Sequence, residues 1–216
     1  MPDRPAPEAS LADRLADINA RIARAAAGRS ITLIAVSKTK PVAAVEQALD
    51  AGQRVFGENR VQEAAMKFPP LRAACPDLVL HLIGPLQTNK TRDAVRLFDT
   101  IQSLDRPKLA ESLAQAAERE GRLPDLLIQV NIGDEPQKAG IARTEADSFI
   151  RDMRARFGEK LRGLMAIPPL GADPAPYFRD LVAMADSHGL PERSIGMSDD
   201  FETAIECGAT MVRIGS

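Results

Sequence analysis

The sequence has no tryptophan, one tyrosine, two histidines and two cysteines. With aromatic residues at 4% of the chain, the stacking platforms that hold single-stranded nucleic acids are largely missing. Cys75 and Cys207 are far apart, form no CxxC pair and fall in apolar helical stretches, where each is expected as a buried free thiol. Such usage fits a reducing cytoplasm. His81 and His188 are isolated from each other and from both cysteines, so metal-ligand spacing is absent and no metal site is expected. His81 falls within a strand and is expected in the interior; His188 falls at a helix end. Neither a Walker-type glycine loop nor a GxSxG elbow occurs. Lysine and arginine (28) nearly balance aspartate and glutamate (30), which argues against a basic nucleic-acid footprint and against a polyacidic tail. No apolar run approaches the ~18 residues of a membrane span, and Met1-Pro2-Asp3-Arg4-Pro5 lacks a signal-peptide core. A soluble cytoplasmic chain without nucleic-acid or membrane partners is expected.

What is present is a regular alternation. The 216 residues, 44% of them hydrophobic, suffice for one buried core, and β/α barrels commonly run to ~200–250 residues as one domain. An N-terminal helix is expected over about residues 8–27, from Leu11, Leu15, Ile18 and Ile22, with Ser10 as N-cap and Gly28 as stop. The run 31–38 is almost wholly apolar, as suits a parallel strand buried on both faces. Further strands are expected at 54–57, 78–84, 100–104, 126–131, 161–167, 193–196 and 210–214. Helices fill 41–51, 61–74, 89–97, 107–120, 145–157, 177–187 and 201–206. Such alternation indicates parallel βαβ units. A doubly wound open sheet shares it, but a strand number near eight and the lack of GxGxxG after the first strand favour closure. The expected fold is α/β: one (β/α)8 TIM barrel over about residues 31–216 behind an extra N-terminal helix, as one domain spanning 1–216.

In such a barrel the working face lies at the C-terminal ends of the strands. The first strand ends in Ser37-Lys38-Thr39-Lys40. A lysine there points toward the barrel mouth, where desolvation favours the neutral amine that attacks an aldehyde to form an imine; the alternative is a lysine snorkelling to solvent. Lys40, before Pro41, is expected above the rim. Barrel phosphate sites lie at the last two strands. Here Gly196-Met197-Ser198 leads into Asp199-Asp200-Phe201, and Ile214-Gly215-Ser216 combines a glycine with a hydroxyl. Ser198 and Ser216 are candidate donors, Gly215 permits close backbone approach, and Asp199 and Asp200 are expected to face away as helix caps. Simple turn glycines and caps are the alternative. Arg213 shares a strand face with Gly215. If both point inward, its guanidinium lies below the phosphate, near a ring bound between it and Lys38; otherwise it is exposed at the lower end of the barrel. Pyridoxal 5'-phosphate (PLP) sites pair the pyridine nitrogen with an aspartate or an arginine.

Several segments, in order, resemble one family: Ala35-Val36-Ser37-Lys38-Thr39-Lys40-Pro41, Phe56-Gly57-Glu58-Asn59, His81-Leu82-Ile83-Gly84-Pro85-Leu86-Gln87, Gln129-Val130-Asn131-Ile132, Gly163-Leu164-Met165-Ala166-Ile167-Pro168, Gly196-Met197-Ser198-Asp199-Asp200-Phe201 and Val212-Arg213-Ile214-Gly215-Ser216. Together they are similar to the PLP homeostasis proteins. The resemblance implies a barrel like that of alanine racemase, PLP held as a Schiff base on Lys38, and Asn59 near the ring. It further implies a phosphate cradle at Met197, Ser198, Gly215 and Ser216, with Arg213 facing the pyridine nitrogen. The implied role is vitamin B6 homeostasis without an established catalytic activity, with apo PLP-dependent enzymes as partners. Two departures stand out: Arg60 occupies a position where an aromatic residue is frequent, and the family continues beyond the position of Ser216 with a short apolar, glycine-containing tail.

The residues themselves point the same way on catalysis. Barrel-type PLP racemases resemble one another in a second β-domain, and eight βα units consume this chain. Tyr177, the one tyrosine, falls after the sixth strand, and no second acid/base opposes Lys38. A non-catalytic carrier or regulator, monomeric, is the expectation; a racemase-like PLP enzyme and a barrel for another phosphorylated metabolite are the alternatives.

Overall fold

The computed structural model describes residues 9–215. Helix α1 (Leu11–Ala26) opens with a capping box in which Ser10 accepts from the Asp13 backbone and Asp13 reaches back to the Ser10 backbone. Then come β1 (Thr32–Val36), α2 (Val42–Asp50), β2 (Val55–Glu58), α3 (Val61–Ala74), β3 (Val79–Leu82), α4 (Thr91–Leu97), β4 (Thr100–Leu104), α5 (Pro107–Glu120) and β5 (Asp125–Asn131). A two-residue strand β6 (Ile141–Ala142) precedes α6 (Ala146–Phe157), β7 (Leu161–Met165), α7 (Ala175–Ser187), β8 (Glu192–Ser194), α8 (Phe201–Cys207) and β9 (Met211–Gly215). All pairings are parallel. The order β4-β3-β2-β1-β9-β8-β7-β5 is closed by β4 against β5, giving an eight-stranded barrel with β6 added outside β5.

The expected alternation is therefore present, with two differences. Several strands stop two residues short: β1 ends at Val36, β3 at Leu82 and β7 at Met165, so the polar residues at their ends stand in βα turns. The excursion between β5 and α6 returns as β6 because Asn131 caps it, donating to Glu135 O (2.8 Å) and accepting from Glu135 N (3.1 Å).

Most of the core lies between the barrel wall and the helices; a smaller cluster, Ile34, Leu127, Met165 and Met211, plugs the barrel itself. Helix α1 lies on α8, where Arg21 grips Glu202 through two hydrogen bonds (3.1 and 2.8 Å) and its guanidinium covers the Phe201 ring at 4.7 Å. The cysteines correct their expectation: both are half-buried, because they stand at the C-terminal ends of α3 and α8 rather than on an inner face. The Cys75 thiol donates to Asp77 (2.9 Å), a bond that pushes its pKa up. Among the described residues no helix is long and apolar enough to cross a membrane.

Candidate functional site

Lys38 lies in the turn after β1, exposed to solvent. The expected desolvation is not seen, since the strand ends two residues earlier and the lysine stands on the rim. Its turn, by contrast, is held tightly. Thr39 is a β-branched residue at φ 62°, a conformation such residues rarely adopt. Its N–H donates to Glu63 (2.5 Å), and the Lys67 ammonium donates to Ser37 O (2.8 Å), Glu58 (2.8 Å) and Glu63 (3.0 Å). The Ser37 hydroxyl donates to the same Glu58 oxygen at 2.7 Å. Glu58 is wholly buried and Lys67 nearly so. Partial burial works against charge on Glu63, but the bonds from Lys67 and Thr39 outweigh it and hold its pKa below the usual carboxylate range. The second oxygen of Glu58 has no partner among the described residues.

Strand register sets the heights of the other candidates. Val36 pairs with Gly57 on one side and Gly215 on the other. Asn59, two residues past Gly57, thus stands level with Lys38, two past Val36. Gly215 lies one step lower, and Arg213, paired with Ile34, deeper still. Asn59 is fixed by its backbone: a Cβ on Gly84 would meet Asn59 O at 2.3 Å, so only glycine lets the turns after β2 and β3 cross.

Arg213 is buried and inward-facing. Its guanidinium donates to Ser194 O (2.6 Å), the Ser194 hydroxyl (2.7 Å) and Ala166 O (2.9 Å), with no carboxylate in contact among the described residues. Burial lowers its pKa to about 10, opposed by Asp200. Below it, the Ser194 hydroxyl donates to the Gln102 carbonyl oxygen (2.6 Å), and the Gln102 amide donates to His81 Nδ1 (2.8 Å). His81 is the interior residue expected, its pKa lowered to about 4 by burial, against the pull of Asp99 and Asp125.

At the top of β8 and β9 the Ser198 hydroxyl donates to Gly215 O (3.0 Å), and the Arg213 N–H donates to Gly196 O (3.0 Å), tying the two strand ends together. Gly196 has φ +93°, and a Cβ there would meet the Ala204 Cβ at 2.6 Å, so this turn too requires glycine. Met197 is exposed, and its backbone N–H is already taken by the Asp200 carboxylate (2.7 Å). Asp200 therefore closes its own turn instead of capping α8, a correction to the capping role expected of it; Asp199 is exposed. Ser216 lies outside the described residues. A cleft of about 390 Å³ flanks this turn, between the loop 168–174 and Met197, Asp200 and Thr203. An apolar cleft of about 220 Å³ lies behind β1, against α1 and α2 on the outer face of the wall. Tyr177 packs on the core from α7, and His188 meets Asp147 at 2.8 Å.

Lys38, Asn59, Met197, Ser198, Arg213 and Gly215 thus all stand on β9 or in the turns after β1, β2 and β8, around one side of the mouth. Sequence reasoning missed Glu58, Glu63 and Lys67, although the Glu63–Lys67 spacing of four on a helix is a readable ion-pair signal. It also missed Gln102 and Ser194, which only barrel closure brings to Arg213.

Residues 13–216 match the family model described as alanine racemase, N-terminal domain. The pyridoxal phosphate homeostasis protein of Escherichia coli K12 is 43% identical over 95% of this chain and 94% of its own length. That of Aquifex aeolicus is 38% identical over 94% and 95%. Two structures of PipY from Synechococcus elongatus, one without PLP and one with PLP bound, superpose with TM-scores of 0.87 and 0.82 at 39% and 38% identity, each covering 95% of this chain and 98% of PipY. An alanine racemase of Clostridium difficile shares the fold (TM-score 0.71) at 14% identity, over 92% of this chain and 54% of the racemase. The chain belongs to the pyridoxal phosphate homeostasis proteins, a family built on the N-terminal barrel of alanine racemase.

Proposed function

We propose that this protein binds PLP in the barrel mouth and serves intracellular vitamin B6 homeostasis as a carrier or regulator, acting as a single barrel domain over residues 1–216. The observation that carries the reading is Arg213: a buried cation with no carboxylate in contact among the described residues, below a rim lysine on the neighbouring strand's turn. A guanidinium so placed suits an uncharged or anionic acceptor supplied by a ligand, and the donor set fits PLP. Lys38 is the covalent anchor, Asn59 flanks the ring, Ser198 and Gly215 hold the phosphate with Ser216, and Met197 borders them. Arg213 faces the pyridine nitrogen. When bound, the cofactor supplies an aldehyde that a primary amine captures reversibly.

The same residues favour holding over turnover. Arg213 donates hydrogen bonds and stays protonated, so it leaves the ring nitrogen without a proton and the ring a weaker electron sink. Tyr177 is taken up by packing on the core from α7, and among the described residues no second base facing Lys38 supports a two-base exchange. Of the exposed large apolar side chains, Val42 and Met66 lie on α2 and α3, and only Leu170 and Met197 share a cleft; so little exposed apolar surface supports a monomer. Delivery to apo PLP-dependent enzymes in the cytoplasm is the partner relationship this reading implies.

Purified protein mixed with PLP is expected to gain a visible band that borohydride fixes to one lysine, and Lys38→Ala is expected to abolish it. A colourless wild type overturns the reading. Amino-acid α-proton exchange in D2O is expected to be no faster than with free PLP; fast, Lys38-dependent exchange points to an enzyme instead.

A further inference from the structure

Four polar side chains, from four different strands, form one chain across the barrel interior: Arg213 on β9, Ser194 on β8, Gln102 on β4 and His81 on β3. All four are nearly inaccessible to solvent. Its polarity is fixed from the top. Arginine only donates, so the Ser194 oxygen accepts and its hydrogen points to the Gln102 carbonyl. That leaves the Gln102 amide to donate, and the group it meets, His81 Nδ1, must be a bare acceptor. A protonated imidazole at the lower end would oppose a guanidinium at the upper end. The amide would have to flip, and the Ser194 hydroxyl would lose its acceptor. Gln102 is also steadied from the side by Met211 Sδ at 3.8 Å. Around the chain, Ile34, Leu127, Met165 and Met211 exclude water, so each link lacks a solvent substitute.

We propose that His81, Gln102 and Ser194 are positioning residues for the cofactor: the directional chain they form fixes the plane and height of the Arg213 guanidinium, and so sets how the ring nitrogen is met. The inference rests on the reading of the mouth as a PLP site. Nothing in the chain touches the mouth except Arg213, so its effect on a bound ring passes through that one guanidinium.

The test compares wild type with Gln102→Leu, Gln102→Glu, Ser194→Ala and Ser194→Thr. Measured are the dissociation constant for PLP, the pH midpoint of the visible band of the lysine-linked cofactor, and thermal unfolding. Losing one buried link is expected to weaken PLP binding about ten-fold in Gln102→Leu and Ser194→Ala. The pH midpoint is expected to move upward, because a guanidinium released from its place no longer opposes a proton on the linkage; a merely structural role does not move it. Ser194→Thr keeps the hydroxyl and is expected to restore both. Should Gln102→Leu fail to fold, Gln102→Glu keeps the shape but cannot donate to His81 Nδ1, and the same upward shift is expected. Variants that fold and bind with wild-type affinity and midpoint overturn the inference while leaving the PLP reading intact. A wild type that takes up no PLP overturns both.

Discussion

His81 costs the barrel stability in acid, and the sign follows from its burial. Its pKa in the fold is about 4 against the ordinary 6.5, so below pH 6.5 the unfolded chain binds a proton that the folded chain refuses. The stability is complete above pH 6.5 and is lost as pH falls toward 4, by about 3 kcal/mol in total. Urea unfolding of wild type and His81→Gln at pH 7 and pH 4 is expected to show the wild type losing about that much more than the variant. A parallel loss in both assigns the acid sensitivity elsewhere.

Among elements, the β1 turn shows how the backbone under an exposed lysine can be held firmly. Lys67 on α3, Glu58 on β2 and Ser37 at the end of β1 form one buried polar knot beneath Lys38. Lys67→Met leaves the Glu58 carboxylate buried and uncompensated, and is expected to cost about 3–5 kcal/mol. Adding Glu58→Gln removes the stranded charge, so the double variant is expected to regain most of that loss while binding PLP more weakly than wild type. Chemical denaturation and PLP titration of the wild type and both variants check this; equal losses in single and double variants refute the knot. In the sequence, the apolar run of β1 and the Phe-Gly-Glu-Asn motif were legible, but not the knot. Glu58 alternates to the outer face of β2, where it is buried only because α3 packs over it. Local pattern likewise ran strands through Lys38 and Gly84, since a rim turn continues the extended trace; only the close crossing of Asn59 over Gly84 reveals the turn.

For the whole molecule, the alternation and the strand number made the barrel readable; parity on β9 put Arg213 on one face with Gly215 and left open whether that face points inward, as it does in the closed barrel. The Ser194–Gln102 link, spanning 92 residues, was out of reach of any local pattern. The small number of exposed large apolar residues predicts a species of monomer mass, about 23 kDa, by sedimentation with and without PLP. A concentration-dependent dimer overturns that expectation.

The barrel also closes first strand against last, β1 beside β9, which bears on how the protein is born. On the ribosome Lys38 emerges with the first strand, while Ser198, Arg213 and Gly215 follow only with the last two. On the proposed reading of the mouth, no chain lacking β9 can assemble both sides of the pocket, so uptake of a reactive aldehyde waits for the last barrel strand. Cofactor capture would thereby report that the barrel has closed.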